Sequence, residues 1–366
     1  MKLYSCAKCQ NLLYFENSVC LNCNSPVGFD AVKLSMVTLA DGNLLPNNQK
    51  TFVDLKNTKT QYRYCDNSAY AACNWLIPAT QPTGFCIACD LNRTIPSLDK
   101  PENLDLWRRI EIAKHRLVYS LLRFNLPVVS KEGDEETGIA FDFMADTDPK
   151  AKVMTGHDHG VITLNIEEAD EKQRVKHKLD LGERYRTLLG HFRHEIGHYY
   201  WEVFFNNSEE GLKKFRQLFG DDSMDYSEAL KKYYETGAPA DWNNHFISPY
   251  ASAHAWEDWA ETWAHFLHMM DTLETAYSFG IAVNPRKAND DQQLQTNISR
   301  DPYSIANFDE IIKMWLPLTF AVNSLNRSMG HQDFYPFIIS SEVIDKLRFI
   351  HAQVKDYGKT VENLVA

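Results

Sequence analysis

His194-Glu195-Ile196-Gly197-His198 is the run in this chain best equipped for chemistry. On a helix, residues four apart share one face and stand about one turn from each other. Two imidazoles at that spacing grip a single zinc ion from the same side. Glu195 lies near that face, where it can take a proton from a zinc-bound water. The expected chemistry is therefore zinc-dependent peptide-bond hydrolysis, with His194 and His198 as ligands and Glu195 as general base.

The surrounding residues read as a helix. Tyr185, Leu188, Leu189, Phe192, Ile196, Tyr199, Tyr200 and Phe204 follow the 3.6-residue rhythm of a buried face. His191, His194, His198 and Glu202 form a separate polar stripe. A catalytic zinc takes three protein ligands and a water, so one ligand must come from elsewhere. The segment Ala255 to His265 has an apolar stripe of Trp256, Trp259, Ala260 and Trp263, with Glu257 and Glu261 one turn apart on another face. Glu257 is the expected third ligand. Glu261 is then the carboxylate that accepts the free N–H of a liganding histidine and orients its ring. Glu261, Asp258, His265 and His268 are the other candidates for the third position.

All eight cysteines lie between Cys6 and Cys89. Cys6-x2-Cys9 and Cys20-x2-Cys23 are two knuckles able to close a tetrahedral four-cysteine zinc site. Cys65, Cys73, Cys86 and Cys89 form a looser second set with one regular knuckle. Closed all-cysteine sites are structural, because no coordination position stays open. Three zinc ions are expected, one catalytic and two structural. Ligation shared between the two sets remains open at this point.

The positioning elements follow from pattern. Val32 to Leu39 and Phe52 to Leu55 read as short strands, separated by the turn-rich Asp41-Gly42-Asn43 and Pro46-Asn47-Asn48. Pro96 to Pro101 marks a boundary, giving a zinc-ribbon region over 1–95 and a second domain over 96–366. A helix opens at Pro101. Leu126 to Val129, Gly138 to Phe143 and Gly160 to Ile166 read as strands. By analogy rather than from its pattern, the last of these is expected at a sheet edge, able to pair with an extended peptide. The rest is mostly helical, with a polar and aromatic insertion from about Phe219 to Pro249. The fold class is α+β: a zinc-ribbon β module, then a domain with a small sheet and a mostly helical C-terminal half.

The chain has 366 residues, 44% of them apolar, and a formal net charge of -11. That charge argues against a general nucleic-acid binder. No apolar run is long enough to span a membrane, and the N-terminus lacks the apolar stretch of a signal peptide. A cytoplasmic location is expected, and clustered cysteines fit metal ligation there better than disulfides.

Residues 191–198, the segment Ala255 to His268, the cysteine knuckles, Gly160 to Ile166, Pro249 to Ser252 and Asn323 to Gly330 together resemble a bacterial family of zinc-binding metallopeptidases with an N-terminal zinc ribbon. The broader likeness is to the gluzincin class of zincins. Their pattern is H-E-x-x-H plus a later glutamate with an acid one turn beyond it. Here that acid is Glu261, where the common pattern has aspartate, so both glutamates stay in play. The resemblance implies a zincin-like domain and a peptide or protein substrate. The ribbon would serve stability or a protein partner.

His254, Tyr250, His245 and Arg327 are candidate oxyanion donors, each with a plainer structural role available. His157-Asp158-His159 reads as a turn, and His191 as a neighbour of the centre rather than a ligand. Two other functions fit the residues: hydrolysis of a small amide at the same centre, or a non-enzymatic zinc-ribbon binding or scaffold protein. The intact Glu195 argues against the last, since a scaffold needs no base.

Overall fold

The computed structural model describes residues 2–44, 50–146, 153–171, 187–286 and 294–365. Tyr185 and Pro46-Asn47-Asn48 lie outside them. The chain forms two compact units, residues 2–192 and 193–366. Among the described residues no helix is long and apolar enough to cross a membrane. The architecture is mixed α+β, as the sequence pattern implies.

The first unit opens with a two-stranded ribbon, β1 (Tyr4–Ser5) and β2 (Leu12–Leu13). A closed barrel follows, made of β3 (Val27–Asp30), β4 (Ser35–Leu44), β5 (Lys50–Asp54), β6 (Gln61–Tyr64) and β7 (Trp75–Pro78). Neighbours are antiparallel except at the seam, where β3 and β7 run parallel with Phe29 opposite Trp75. The expected strand at Val32 begins three residues later. Asp30 Oδ1 accepts the backbone N–H groups of Val32 and Lys33 at 2.9 and 3.1 Å, which holds the chain in a turn and leaves Val32 exposed. Val37, Leu39, Tyr62 and Leu76 fill part of the barrel interior.

After the barrel come β8 (Asn92–Thr94), α1 (Pro101–Arg123), β9 (Ala140–Met144), β10 (Gly156–Asp158) and β11 (Val161–Asn165). Helix α1 starts on Pro101, whose missing N–H costs nothing in a first turn. Its Tyr119 and His115 pack edge-on against Phe29 and Trp75 at 5.9 and 5.0 Å. The sheet order is β10-β11-β9-β8. Two strand expectations change here. Leu126 to Val129 forms no strand; pairing is confined to an isolated bridge between Ser130 and Ile139, and Pro127 offers no N–H for a ladder. Strand β11 is interior rather than at an edge, because the hairpin through His159 and Gly160 lays β10 against it. Both turn residues have positive φ, 44° and 80°, as a tight two-residue hairpin requires. His157 and Asp158 therefore belong to the edge strand β10.

Helix α2 (Leu188–Phe205) contains the boundary between the units. The second unit continues with α3 (Glu209–Phe219), α4 (Tyr226–Thr236), the short α5 (Trp242–His245), α6 (Ala255–Ser278), the two-stranded β12 (Ala282–Val283) and β13 (Thr296–Asn297), α7 (Phe308–Ser328) and α8 (Ser341–Val365). Helix α6 is buried on nearly every side, as suits a central helix. Helix α8 buries Val343, Leu347, Ile350 and Val354, a stripe at helical spacing.

The barrel seam depends on a residue without a side chain. A Cβ on Gly28 would stand 2.6 Å from Leu76 Cδ2 and 2.8 Å from the Asn74 carbonyl oxygen. Gly28→Ala should destabilise the protein by about 1–3 kcal/mol through overpacking. A urea titration should show a lower midpoint with an unchanged slope.

Candidate metal centre

Helix α2 presents His194 and His198 one turn apart, both buried, with Nε2 atoms 3.2 Å from each other. Helix α6 brings Glu257 beside them: its Oε2 lies 3.0 Å from His194 Nε2 and its Oε1 3.7 Å from His198 Nε2. Two nitrogens bound at zinc distance to a tetrahedral ion stand about 3.3 Å apart, so these separations suit one shared ion. Glu257 Oε2 is buried with no hydrogen-bond donor aligned on it. A lone buried carboxylate oxygen is costly unless a cation completes it. The donor set thus fits a divalent metal.

The remaining contacts orient these side chains. His194 Nδ1 donates to Glu261 Oε1 at 2.7 Å, which turns Nε2 toward Glu257. Ser248 donates to the other Glu261 oxygen at 2.5 Å. Burial alone would raise the Glu261 pKa. The His194 hydrogen bond and charge, with His265 and Ser248, outweigh it and hold Glu261 at about 2. Glu261 is thus an anion that fixes the ring. The other candidates for the third position are engaged elsewhere. Asp258 pairs with Lys346 Nζ at 2.6 Å, His265 meets the Tyr335 hydroxyl at 2.8 Å, and His268 contacts Arg193. His191 Nδ1 binds Glu168 Oε2 at 2.5 Å.

The crossing of α2 and α6 makes this geometry. A Cβ on Gly197 would lie 3.1 Å from both Ala260 Cα and Trp263 Cδ1. Trp259 Nε1 donates to the Gly197 carbonyl oxygen at 2.8 Å. Tyr200 stacks on Trp263 at 5.2 Å, and Trp256 covers His198 at 4.0 Å. The tryptophan stripe read from sequence is thus the surface that seats α6 on the H-E-x-x-H helix.

Of the four oxyanion candidates, Tyr250 stands beside the centre, its ring 6.0 Å from His194. His254 caps α6 by accepting the Trp256 N–H. His245 pairs with Glu342 and Arg327 with Asp333, both at the surface. Burial, then the Glu257 and Tyr226 charges, push the Tyr250 phenol up, so it stays protonated.

In the first unit the cysteines form two separate groups, Cys6, Cys9, Cys20 and Cys23, and Cys65, Cys73, Cys86 and Cys89, each with sulfurs within 4.8 Å of one another. The Cys6–Cys23 and Cys9–Cys20 sulfurs are 3.6 Å apart, and Cys73–Cys86 3.8 Å. Those are separations of thiolates around one zinc, about 3.8 Å, and far beyond the ~2.05 Å of a disulfide. Each C-x2-C knuckle closes with the same backbone bond: Gln10 N to Cys6 O, Asn24 N to Cys20 O and Asp90 N to Cys86 O, all 2.9 Å. Sequence reasoning missed His115. Its Nε2 lies 3.2 Å from Cys73 Sγ and 3.7 Å from Cys89 Sγ, while Nδ1 donates to the Glu111 carbonyl oxygen at 2.6 Å. The only local signal was a buried-face Glu111-x3-His115 pair on α1.

Two cysteine groups and an H-E-x-x-H helix crossed by a glutamate helix give this chain the donor sets of a metal-binding protein. The sequence profile of the family described as "Putative zinc-binding metallo-peptidase" matches residues 103–353, and that of a zinc-ribbon domain matches residues 3–100. The chain belongs to this metallopeptidase family. Proteins from Mycobacterium bovis and Mycobacterium tuberculosis, each described as uncharacterized, are 40% identical to it over 362 residues, covering 99% of this chain and 98% of their own. No solved structure matches it.

The close crossing gives a direct test. Gly197→Val should force α6 away from α2 and lower the folding stability by about 1–3 kcal/mol. Metal analysis should show loss of zinc from this centre while the cysteine-bound zinc remains.

Proposed function

We propose that this chain is a zinc-dependent peptidase in which His194, His198 and Glu257 hold the catalytic ion and Glu195 is the general base. The observation that carries this reading is the convergence of those three donor groups, beside an intact Glu195, in a chain of this family. Zinc, when bound there, supplies Lewis acidity: it lowers the pKa of water toward neutrality and polarises the scissile carbonyl.

The protein's own groups do the rest. Glu195 takes the proton of the attacking water and passes it to the departing amine, so one carboxylate serves both steps. Glu261, held by Ser248, keeps the His194 ring in its liganding tautomer. Tyr250, which retains its proton, donates to the developing oxyanion. Substrates are peptides or proteins. Cys6, Cys9, Cys20 and Cys23, and Cys65, Cys73, Cys86 and Cys89, hold two structural zincs. The ribbon they brace serves stability or docks a protein partner. Thiols kept for metal favour a reducing compartment such as the cytoplasm as its location.

Glu195→Gln should keep its metal and lose about 10²–10⁴-fold in turnover, measured on a peptide library with metal content checked in parallel. Undiminished cleavage by that variant would overturn the base assignment. His198→Ala should lower zinc from about three ions per chain to about two, the two four-cysteine groups remaining filled.

A further inference from the structure

We infer that Tyr226 is a positioning residue for the catalytic ion: its hydroxyl pins Glu257 Oε1, leaving Oε2 as the oxygen free to bind the metal. The inference rests on the reading of Glu257 as a ligand. It also gives a role to the insertion from Phe219 to Pro249, which neither the H-E-x-x-H segment nor the tryptophan segment explains.

Helix α4 begins at Tyr226 and buries none of its residues, so core packing does not account for its placement. Its start is well defined. Asp225 caps it by accepting the Glu228 N–H at 2.8 Å. From that first turn the Tyr226 hydroxyl donates to Glu257 Oε1 at 2.6 Å. The Tyr226 ring stands edge-on to His254 at 5.4 Å and to Trp256 at 5.7 Å. These flank the cap and first turn of α6, so the phenol is docked on the helix that carries Glu257.

The two Glu257 oxygens therefore differ. Oε1 is occupied by a hydrogen bond to a carboxylate, the stronger class of such bonds. Both oxygens border the centre, Oε1 at 3.7 Å from His198 Nε2 and Oε2 at 3.0 Å from His194 Nε2, but only Oε2 has no aligned donor. A carboxylate that is free at both oxygens can swing to bind an ion through two of them. One pinned at Oε1 offers a single oxygen in a fixed direction, which is what a four-coordinate site with an open position needs. Groups that orient a ligand in this way are typically worth about 10–100-fold in metal affinity.

Tyr226→Phe keeps the ring and its packing and deletes only the donor. In the full chain, chelator competition reads the affinity of the third zinc, with the two cysteine-held zincs as internal controls for folding. Cobalt(II) reloaded into the emptied catalytic site reports its coordination number through the visible spectrum. The expected result is an affinity lowered about 10–100-fold and a weaker cobalt absorption, as Glu257 turns to bind through both oxygens. Glu257→Ala is run beside it. If Glu257→Ala keeps the third zinc, the reading of the centre fails, and this inference with it. If Glu257→Ala loses that zinc while Tyr226→Phe matches the parent in affinity and cobalt spectrum, the inference alone is overturned.

Discussion

Everything at the centre depends on how closely α2 and α6 approach at Gly197. A helix normally keeps its neighbour 8–10 Å away, axis to axis, because side chains intervene. Here one helix presents bare backbone to Ala260 and Trp263 of the other, and the Gly197 carbonyl accepts the Trp259 N–H as well. The carboxylates of Glu257 and Glu261 are short side chains. They reach the His194 ring from both sides only because the two backbones are brought together at this point. Gly197 occupies one of the two variable positions of H-E-x-x-H, and its smallness has a tertiary purpose.

The second unit buries several charged groups in pairs. Lys346 meets Asp258, and Arg193 meets Asp271, which also accepts from Tyr303. Buried charges add little net stability when paired and cost several kcal/mol when a partner is lost. Their value here is placement: Lys346 of α8 ties down Asp258, the residue after Glu257, and so limits the freedom of the turn that carries Glu257. Glu257 Oε2 stands apart from this pattern, as a buried oxygen with no aligned donor.

The first unit solves a different problem. A five-stranded barrel of short strands has a small interior, and a four-cysteine group lies towards each end of its sequence. Helix α1 joins this arrangement through His115, which reaches two sulfurs of the second group, and through Tyr119 against Phe29. The buried Lys114 and Glu111 beside it pair at 2.9 Å. The second cysteine group is therefore continuous with the helix that follows the ribbon.

What the amino-acid sequence determined by itself was local. Histidines four apart on a helix, cysteines three apart on a turn, and a proline opening a helix each have geometry set by the backbone within a few residues. The H-E-x-x-H helix, the C-x2-C knuckles, α1, α6 and the general α+β order were legible for that reason. Tertiary structure decided what depends on distances between elements: that Glu257 rather than Asp258, His265 or His268 stands beside both Nε2 atoms, and that Glu261 meets Nδ1. It also decided that β11 lies inside its sheet, that β3 closes on β7, and that His115 and Tyr226 reach their partners. Those distances are set by packing summed over many side chains, with Gly28 and Gly197 marking where two backbones touch, and no short spacing in the chain encodes them.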